Sequence, residues 1–113
     1  MLNSARRISK ANFTKILQEG RGASSPFFST KILPLEKIGL SRFAFVVSAK
    51  TAKSAVRRNF LKRRSRHAIK KNLPLIKEGY YCVIFIKKDL ADLPFSAYEA
   101  EIIDSLKRSG LLI

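Results

Sequence analysis

Acid is scarce in this chain. Eight Asp and Glu stand against 23 Lys and Arg in 113 residues, giving a formal charge of +15. Between Glu36 and Glu78 there is no acid at all. With so few carboxylates, no tight pair or triple resembles a two-metal nuclease site. Histidine and cysteine occur once each, as His67 and Cys82. A zinc site wants about four such ligands, so His67 reads as a solvated or RNA-adjacent side chain, and one cysteine allows no intrachain disulfide. A single cysteine fits a reducing compartment, and a cytoplasmic protein is expected. No Gly-rich phosphate loop of nucleotide-binding spacing occurs. The longest apolar run, Tyr80 to Ile86, is far short of the ~20 residues that cross a bilayer, so no membrane partner is expected. The N-terminus from Met1 to Arg7 lacks the apolar stretch of a signal peptide. No catalytic residue and no protein-bound metal are assigned.

What is present is a hydrophobic content of 46%, with eight Phe, enough for one packed domain over residues 1–113 behind a loose lead-in at 1–8. Ser9 is a helix N-cap, and Ala11, Phe13, Ile16 and Leu17 follow at helical spacing to Gly20. Phe13 and Leu17 share one face, open to core packing or to ligand contact. Arg21 to Pro26 is a loop by composition. Phe27 to Leu33 and Arg42 to Ser48 alternate as strands, with a short extra strand conceivable around Pro34 to Leu40. Each main strand has a heavy apolar face and a lighter one. Ser29 and Lys31 fall on the lighter face of the first, Ala44 and Val46 on that of the second. A sheet packed on one side and partly open on the other follows, and the open face suits either solvent or an extended ligand. Tyr80 to Ile86 is β-branched and aromatic on both faces, the pattern of a central strand, and ends in Lys87 and Lys88. Ser96 to Glu99 has the spacing of a capping box, opening a last helix that stops near Gly110.

The densest charge lies between Lys53 and Lys71, where nine basic residues occur without an acid, Gly or Pro. Ser54 or Thr51 could cap a helix there, and Pro74 discourages its continuation past Lys71 or Asn72. At ~100° per residue, Arg58, Asn59, Lys62 and Arg66 fall in one arc with Ala55 between them. Val56, Phe60, Leu61 and Ala68 lie around the rest, interrupted by Arg57 and Arg64. A polyanion is the natural partner for such a surface. The expected architecture is an α/β (α+β) sandwich with helices mainly on one side of a small sheet.

The segment from Lys53 through Arg66 resembles the signature of the bacterial ribonuclease P protein subunit, Lys-x-Ala-Val-x-Arg-Asn-Arg-x-(Lys/Arg)-Arg-x-x-Arg. Phe45 to Lys50 is similar to the family's strand ending in Ser-Lys-Lys. Asn12-Phe13 followed by Gly20-Arg21 resembles its Asp-Phe…Gly-Arg pattern. Phe60 departs, standing where the signature has its second Arg. The resemblance implies an α-β-β-β-α-β-α order, a small mixed sheet and a left-handed βαβ crossover, against the usual right-handed rule. It implies a non-catalytic protein subunit of a ribonucleoprotein endoribonuclease, monomeric without RNA. Its partners would be the ribonuclease P RNA and precursor tRNA, with Mg2+ bound chiefly by the RNA and substrate. By the same resemblance, Lys50, Lys53, Arg58, Asn59, Lys62, Arg63 and Arg66 would face the RNA subunit. Phe13, Leu17, Ser29, Lys31, Val46, Lys87 and Lys88 would form a cleft for the 5′ leader. The alternative from charge alone is a structural, ribosomal-type RNA-binding protein.

Overall fold

A computed structural model describes residues 4–113. Helix α1 spans Lys10–Glu19, and the Ser9 hydroxyl accepts the Asn12 N–H at 3.3 Å as its N-cap. Gly20 ends the helix, its N–H donating to the Ile16 carbonyl at 2.8 Å. The requirement for glycine here is space. A Cβ at position 20 would lie 2.5 Å from the Ile16 carbonyl oxygen and 3.1 Å from that of Ile32. The chain therefore leaves α1 pressed against the sheet and enters a strand at once.

That strand, β1 (Arg21–Ser24), corrects the loop expected over Arg21 to Pro26. It pairs antiparallel with β2 (Phe28–Pro34), Arg21 opposite Ile32 and Ser24 opposite Ser29. Its small, polar residues disguise it, because an edge strand is held by backbone bonds that composition does not report. Ser25 closes the hairpin: its N–H reaches the Phe28 carbonyl at 2.8 Å and its hydroxyl accepts the Phe28 N–H at 3.1 Å. The extra strand considered around Pro34 to Leu40 is not formed beyond Pro34 itself. That connection leaves Ile38 fully exposed.

After β3 (Arg42–Val47) come α2 (Ala55–Lys71), β4 (Tyr80–Ile86) and α3 (Phe95–Arg108). The order is the expected α-β-β-β-α-β-α, with short 3-10 turns at Ser4–Arg6 and Leu73–Leu75. The sheet runs β1-β2-β4-β3, with β3 and β4 parallel and the other two pairs antiparallel. α2 is the crossover joining the parallel neighbours. Ser54 caps it, accepting the Arg57 N–H at 3.2 Å.

One face of the sheet presents Phe28, Ile32, Phe43, Val47, Cys82, Ile84 and Ile86. Against them α2 packs Leu61, Ala68 and Ile69, and α3 packs Tyr98, Ile102 and Leu106. The Tyr98 ring meets Phe28 edge-on at 5.5 Å, and its hydroxyl bonds Ser65 at 2.7 Å. The capping box expected at Ser96 to Glu99 is not made. α3 starts at Phe95 with Pro94 as its N-cap, so Ser96 falls inside the first turn and Glu99 in the second, and Glu99 is used toward α2 instead. It accepts from Asn72 Nδ2 at 2.9 Å and from Lys71 Nζ at 3.4 Å.

Of the lead-in, Arg7 bridges Phe43 in parallel register, and Arg6 is largely buried. The Arg6 guanidinium donates to both Glu78 oxygens, at 3.0 and 2.9 Å, and to the Ser41 carbonyl at 3.1 Å. Glu78 also accepts the Ser41 N–H at 2.8 Å. The Arg6 hydrogen bond holds the Glu78 carboxyl below its ordinary 4.5, against a smaller opposing effect of burial. A depressed carboxylate adds stability above its unfolded pKa and loses it as pH falls through the folded value. Glu78→Gln is therefore expected to lower the urea midpoint at neutral pH and to differ progressively less from the parent below about pH 4.5. A difference that stays constant across that range contradicts the pairing.

Candidate nucleic-acid interface

The second face of the sheet is built by the pleat. Ladder registers place Leu33, Tyr81 and Arg42 in one row, Lys31, Val83 and Ala44 in the next, and Ser29, Phe85 and Val46 in a third. α1 lies across this face on β2 and β4. Ile16 and Val83 are fully buried yet stand apart from the main core, so they form the contact beneath α1. Lys31 ties the helix down, Nζ donating to the Leu17 carbonyl at 2.6 Å. Lys15 pairs with Glu36 at 2.5 Å on the β2–β3 connection. The row Ser29–Phe85–Val46 lies beyond this cover, its side chains only half-buried. Phe13 is half-buried and Leu17 is 36% exposed, so neither is consumed by the core. A groove between α1 and the third row results.

Phe85 and Tyr81 are not among the residues picked out from the sequence. The signal for them was available in the alternation of Tyr80 to Ile86. A strand aromatic on both faces is central, as it is here, and so carries aromatics on its outward face as well. At the far end of the groove, Lys87 donates to Ser24 Oγ and the Ser25 carbonyl, both at 2.8 Å. The Lys88 ammonium sits 5.4 Å from the Phe27 ring centre. Val47 pairs with Ile86, so Lys50 and Lys53, which follow β3, emerge at the same end of the sheet as this pair.

On α2, Asn59 and Arg63 are exposed, and Arg58, Lys62 and Arg66 half-buried along their stems. Arg58 also closes the turn before the helix, donating to the carbonyls of Ala52 and Lys53, both at 2.8 Å. The two cations that interrupt the apolar side have structural partners. Arg57 pairs with Asp89 at 2.6 Å and Asp92 at 3.6 Å. Arg64 donates to the carbonyls of Leu90 and Ala91 at 3.2 and 3.3 Å. Its guanidinium also lies 5.1 Å from the Tyr98 ring centre and 5.3 Å from that of Phe60. Phe60, the departure from the signature, is a half-buried aromatic plate, with Arg63 also within 5.7 Å of it.

The ion pairs sort the charges. Glu36, Glu78, Asp89, Asp92, Glu99 and Asp104 pair with Lys15, Arg6, Arg57, Lys71 and Arg108. Among the described residues, none of these acids reaches Lys50, Lys53, Arg58, Lys62, Arg63, Arg66, Lys87 or Lys88. The candidate cations thus keep their full charge for a partner.

Among the described residues no three His, Cys, Asp or Glu come together to hold a metal ion. Exposed His67 stacks near Phe95, ring centres 4.8 Å apart. Burial pushes the Cys82 thiol up to about 12, so it is a core residue without nucleophilic character. No described helix is long and apolar enough to cross a membrane.

Fold and charge together define a basic α+β protein with a half-covered sheet and an adjoining cationic helix. The Ribonuclease P family model matches residues 1–110. The chain belongs to the bacterial ribonuclease P protein component family, the protein subunit of a ribonucleoprotein endonuclease of tRNA processing whose partner is the ribonuclease P RNA. The ribonuclease P protein component of Chloroflexus aurantiacus is 35% identical over 88% of this chain and 73% of its own. That of Symbiobacterium thermophilum is 28% identical over 99% and 96%. The ribonuclease P protein from Thermotoga maritima superposes with a TM-score of 0.80 at 27% identity, covering 90% of this chain and 96% of that one. That from Staphylococcus aureus reaches 0.85 at 21% identity over 98% and 100%, a likeness of fold.

The division of α2 between structural and unpaired cations is testable on neighbouring residues. Arg64→Ala should cost about 1–2 kcal/mol of stability through lost carbonyl bonds and ring packing. Arg63→Ala should leave stability within roughly 0.5 kcal/mol of the parent. Urea unfolding of the two variants checks this, and equal losses contradict it.

Proposed function

We propose that the chain is a single RNA-binding domain with two adjoining surfaces. The exposed side of α2, with Lys50, Lys53, Arg58, Asn59, Lys62, Arg63 and Arg66, docks on the ribonuclease P RNA. The groove between α1 and the sheet receives the single-stranded 5′ leader of precursor tRNA. The observation that carries this reading is the sorting of charge: six of the eight acids pair with cations outside the two surfaces, and among the described residues no ion pair draws on Lys50, Lys53, Arg58, Lys62, Arg63, Arg66, Lys87 or Lys88.

Lysine and arginine exchange condensed counterions for phosphate contacts, so association falls with salt. Arginine forks add bidentate phosphate recognition on α2. In the groove, unstacked leader bases rest on Phe13 and Phe85, which have faces to offer whatever the base. Ser29 and Val46 form the floor, Leu17 lines the α1 side, and Lys31, Lys87 and Lys88 supply positive potential around it. Lys31 and Lys87 do so while also bonding the scaffold, which fixes their position before substrate arrives. Among the described residues no carboxylate cluster assembles that would hold magnesium. The ion on which the family's holoenzyme depends belongs with the phosphates of the RNA and substrate, and hydrolysis belongs there too. The protein contributes binding and orientation, and raises the affinity for substrate with a leader over mature tRNA.

The test is reconstitution with the cognate RNA and precursor tRNA at low magnesium, where added protein should stimulate leader removal. Lys62→Ala with Arg63→Ala should weaken RNA-subunit binding and lower the slope of log affinity against log salt by about 1.4–1.8, the loss of two phosphate contacts. Phe13→Ala should leave that binding intact and reduce the preference for leader-bearing substrate roughly tenfold. An absence of stimulation overturns the function. Equal damage by both variants to leader preference, with RNA binding unchanged, overturns the division of surfaces.

A further inference from the structure

A pocket of about 350 Å3 opens at the free edge of β3. The lining is Arg6, Arg7 and Ile8 of the lead-in, Phe43, Ala44 and Phe45 of β3, and Arg66 of α2. The lead-in wall is held in place. Arg7 bridges Phe43, the Arg42 guanidinium donates to the Arg7 carbonyl at 3.1 Å, and Arg6 is locked onto Glu78. Arg6 is thereby neutralised. Arg7 and Arg66 have no carboxylate within ion-pair distance among the described residues, and no acid lines the cavity. The Arg66 guanidinium lies 5.9 Å from the Phe45 ring centre, which sets its plane against the pocket. The volume is at the small end of the ~300–1,000 Å3 of small-ligand sites.

Two uncompensated guanidinia repel a cationic ligand. A small inorganic anion would satisfy them but leave Ile8 and Ala44 uncovered. The chemistry that meets both demands is a phosphate attached to a flat apolar ring. Position narrows it further. Ala44 belongs to the sheet row shared with Lys31 and Val83, while Arg66 lies on the charged side of α2. The pocket therefore sits at the corner where the groove and the cationic helix meet.

We propose that this pocket holds one nucleotide of RNA, its phosphate between Arg7 and Arg66 and its base against Ile8 and Ala44. The inference rests on the reading above only in taking RNA as the partner. It adds a lead-in residue, Arg7, beside Arg66 of the α2 surface already described. The nucleotide comes either from the ribonuclease P RNA or from the precursor-tRNA leader, and the two sources separate by experiment.

Arg7 acts through an exposed side chain while its backbone makes the bridge, so Arg7→Ala should keep the parent's melting temperature. Its binding is measured across a salt series, to the ribonuclease P RNA alone and, in the holoenzyme, to precursor tRNA with and without a leader. Arg7→Ala should weaken one of these associations roughly tenfold and lower its salt slope by about 0.7–0.9, the loss of one phosphate contact. Arg7→Lys should restore the slope but only part of the affinity, since the bidentate fork is gone. Loss on the RNA alone assigns the nucleotide to the RNA subunit, and loss only with leader-bearing substrate assigns it to the leader. Lys107→Ala, an exposed cation on α3, should leave both unchanged. The proposal falls if folded Arg7→Ala binds every RNA like the parent, or if Lys107→Ala loses as much. Full RNA binding by Lys62→Ala with Arg63→Ala would instead sink the α2 docking reading and leave the pocket standing.

Discussion

α2 buries Leu61, Ser65, Ala68 and Ile69, and most of its remaining surface is cationic. A helix with this much like charge has to be held by a narrow stripe, and the rest of the fold is arranged around that requirement. The stripe packs on the sheet and α3, where Ser65 bonds the Tyr98 hydroxyl at 2.7 Å. Without the serine at that position, a buried phenol would lose a partner and α3 would lose its register on α2. The helix is then flanked by acids on one side only. Asp89, Asp92 and Glu99 take up Arg57 and Lys71 at the margin nearest α3. Repulsion is relieved on the packed side and left standing on the exposed one, where a polyanion can relieve it instead.

The same economy governs the second sheet face. α1 covers enough of it to bury Val83 but stops short of the Phe85 row. The limit is set by Gly20, which brings the end of α1 against the β2 backbone, and by Lys31, which holds the last turn at a fixed height. Aromatic and small residues are left beside a helix edge carrying Phe13 and Leu17. The helix on the opposite layer and the groove on this one meet at β3, an edge strand whose far side is shared only with the lead-in. Edge strands invite pairing. Here Arg7 takes one bridge with Phe43, and Arg6, Arg7 and Arg66 crowd the space beside the strand, which disfavours pairing with another sheet.

The long elements were legible because each is announced by a local pattern. Ser9 and Ser54 cap helices where their hydroxyls predict, and Tyr80 to Ile86 forms the central strand that its two apolar faces require. β1 was not legible. Its residues Arg-Gly-Ala-Ser carry no strand signal, since backbone pairing to β2 is what makes them a strand. The capping box at Ser96 is not made because α3 begins one residue earlier, at Phe95, which leaves Ser96 inside the helix and frees Glu99 to bond Asn72 and Lys71 across the helix pair. Arg57 and Arg64 looked like flaws in an amphipathic pattern and are contacts to the β4–α3 connection.

Sequence by itself determined the partner class and the family. Both depend on properties that survive unfolding: the excess of Lys and Arg, the acid-free window, and the spacing of the signature from Lys53 to Arg66. Only the tertiary structure decided which cations are available. Arg57 and Arg64 carry the same charge as Lys62 and Arg63, yet the first two are drawn into contacts with a loop distant in sequence. It also decided that Phe85 joins Ser29 and Val46 in one row, and that Arg7 stands opposite Arg66 across a pocket. These are relations between residues far apart in the chain, set by strand register and helix packing, and no local pattern encodes them.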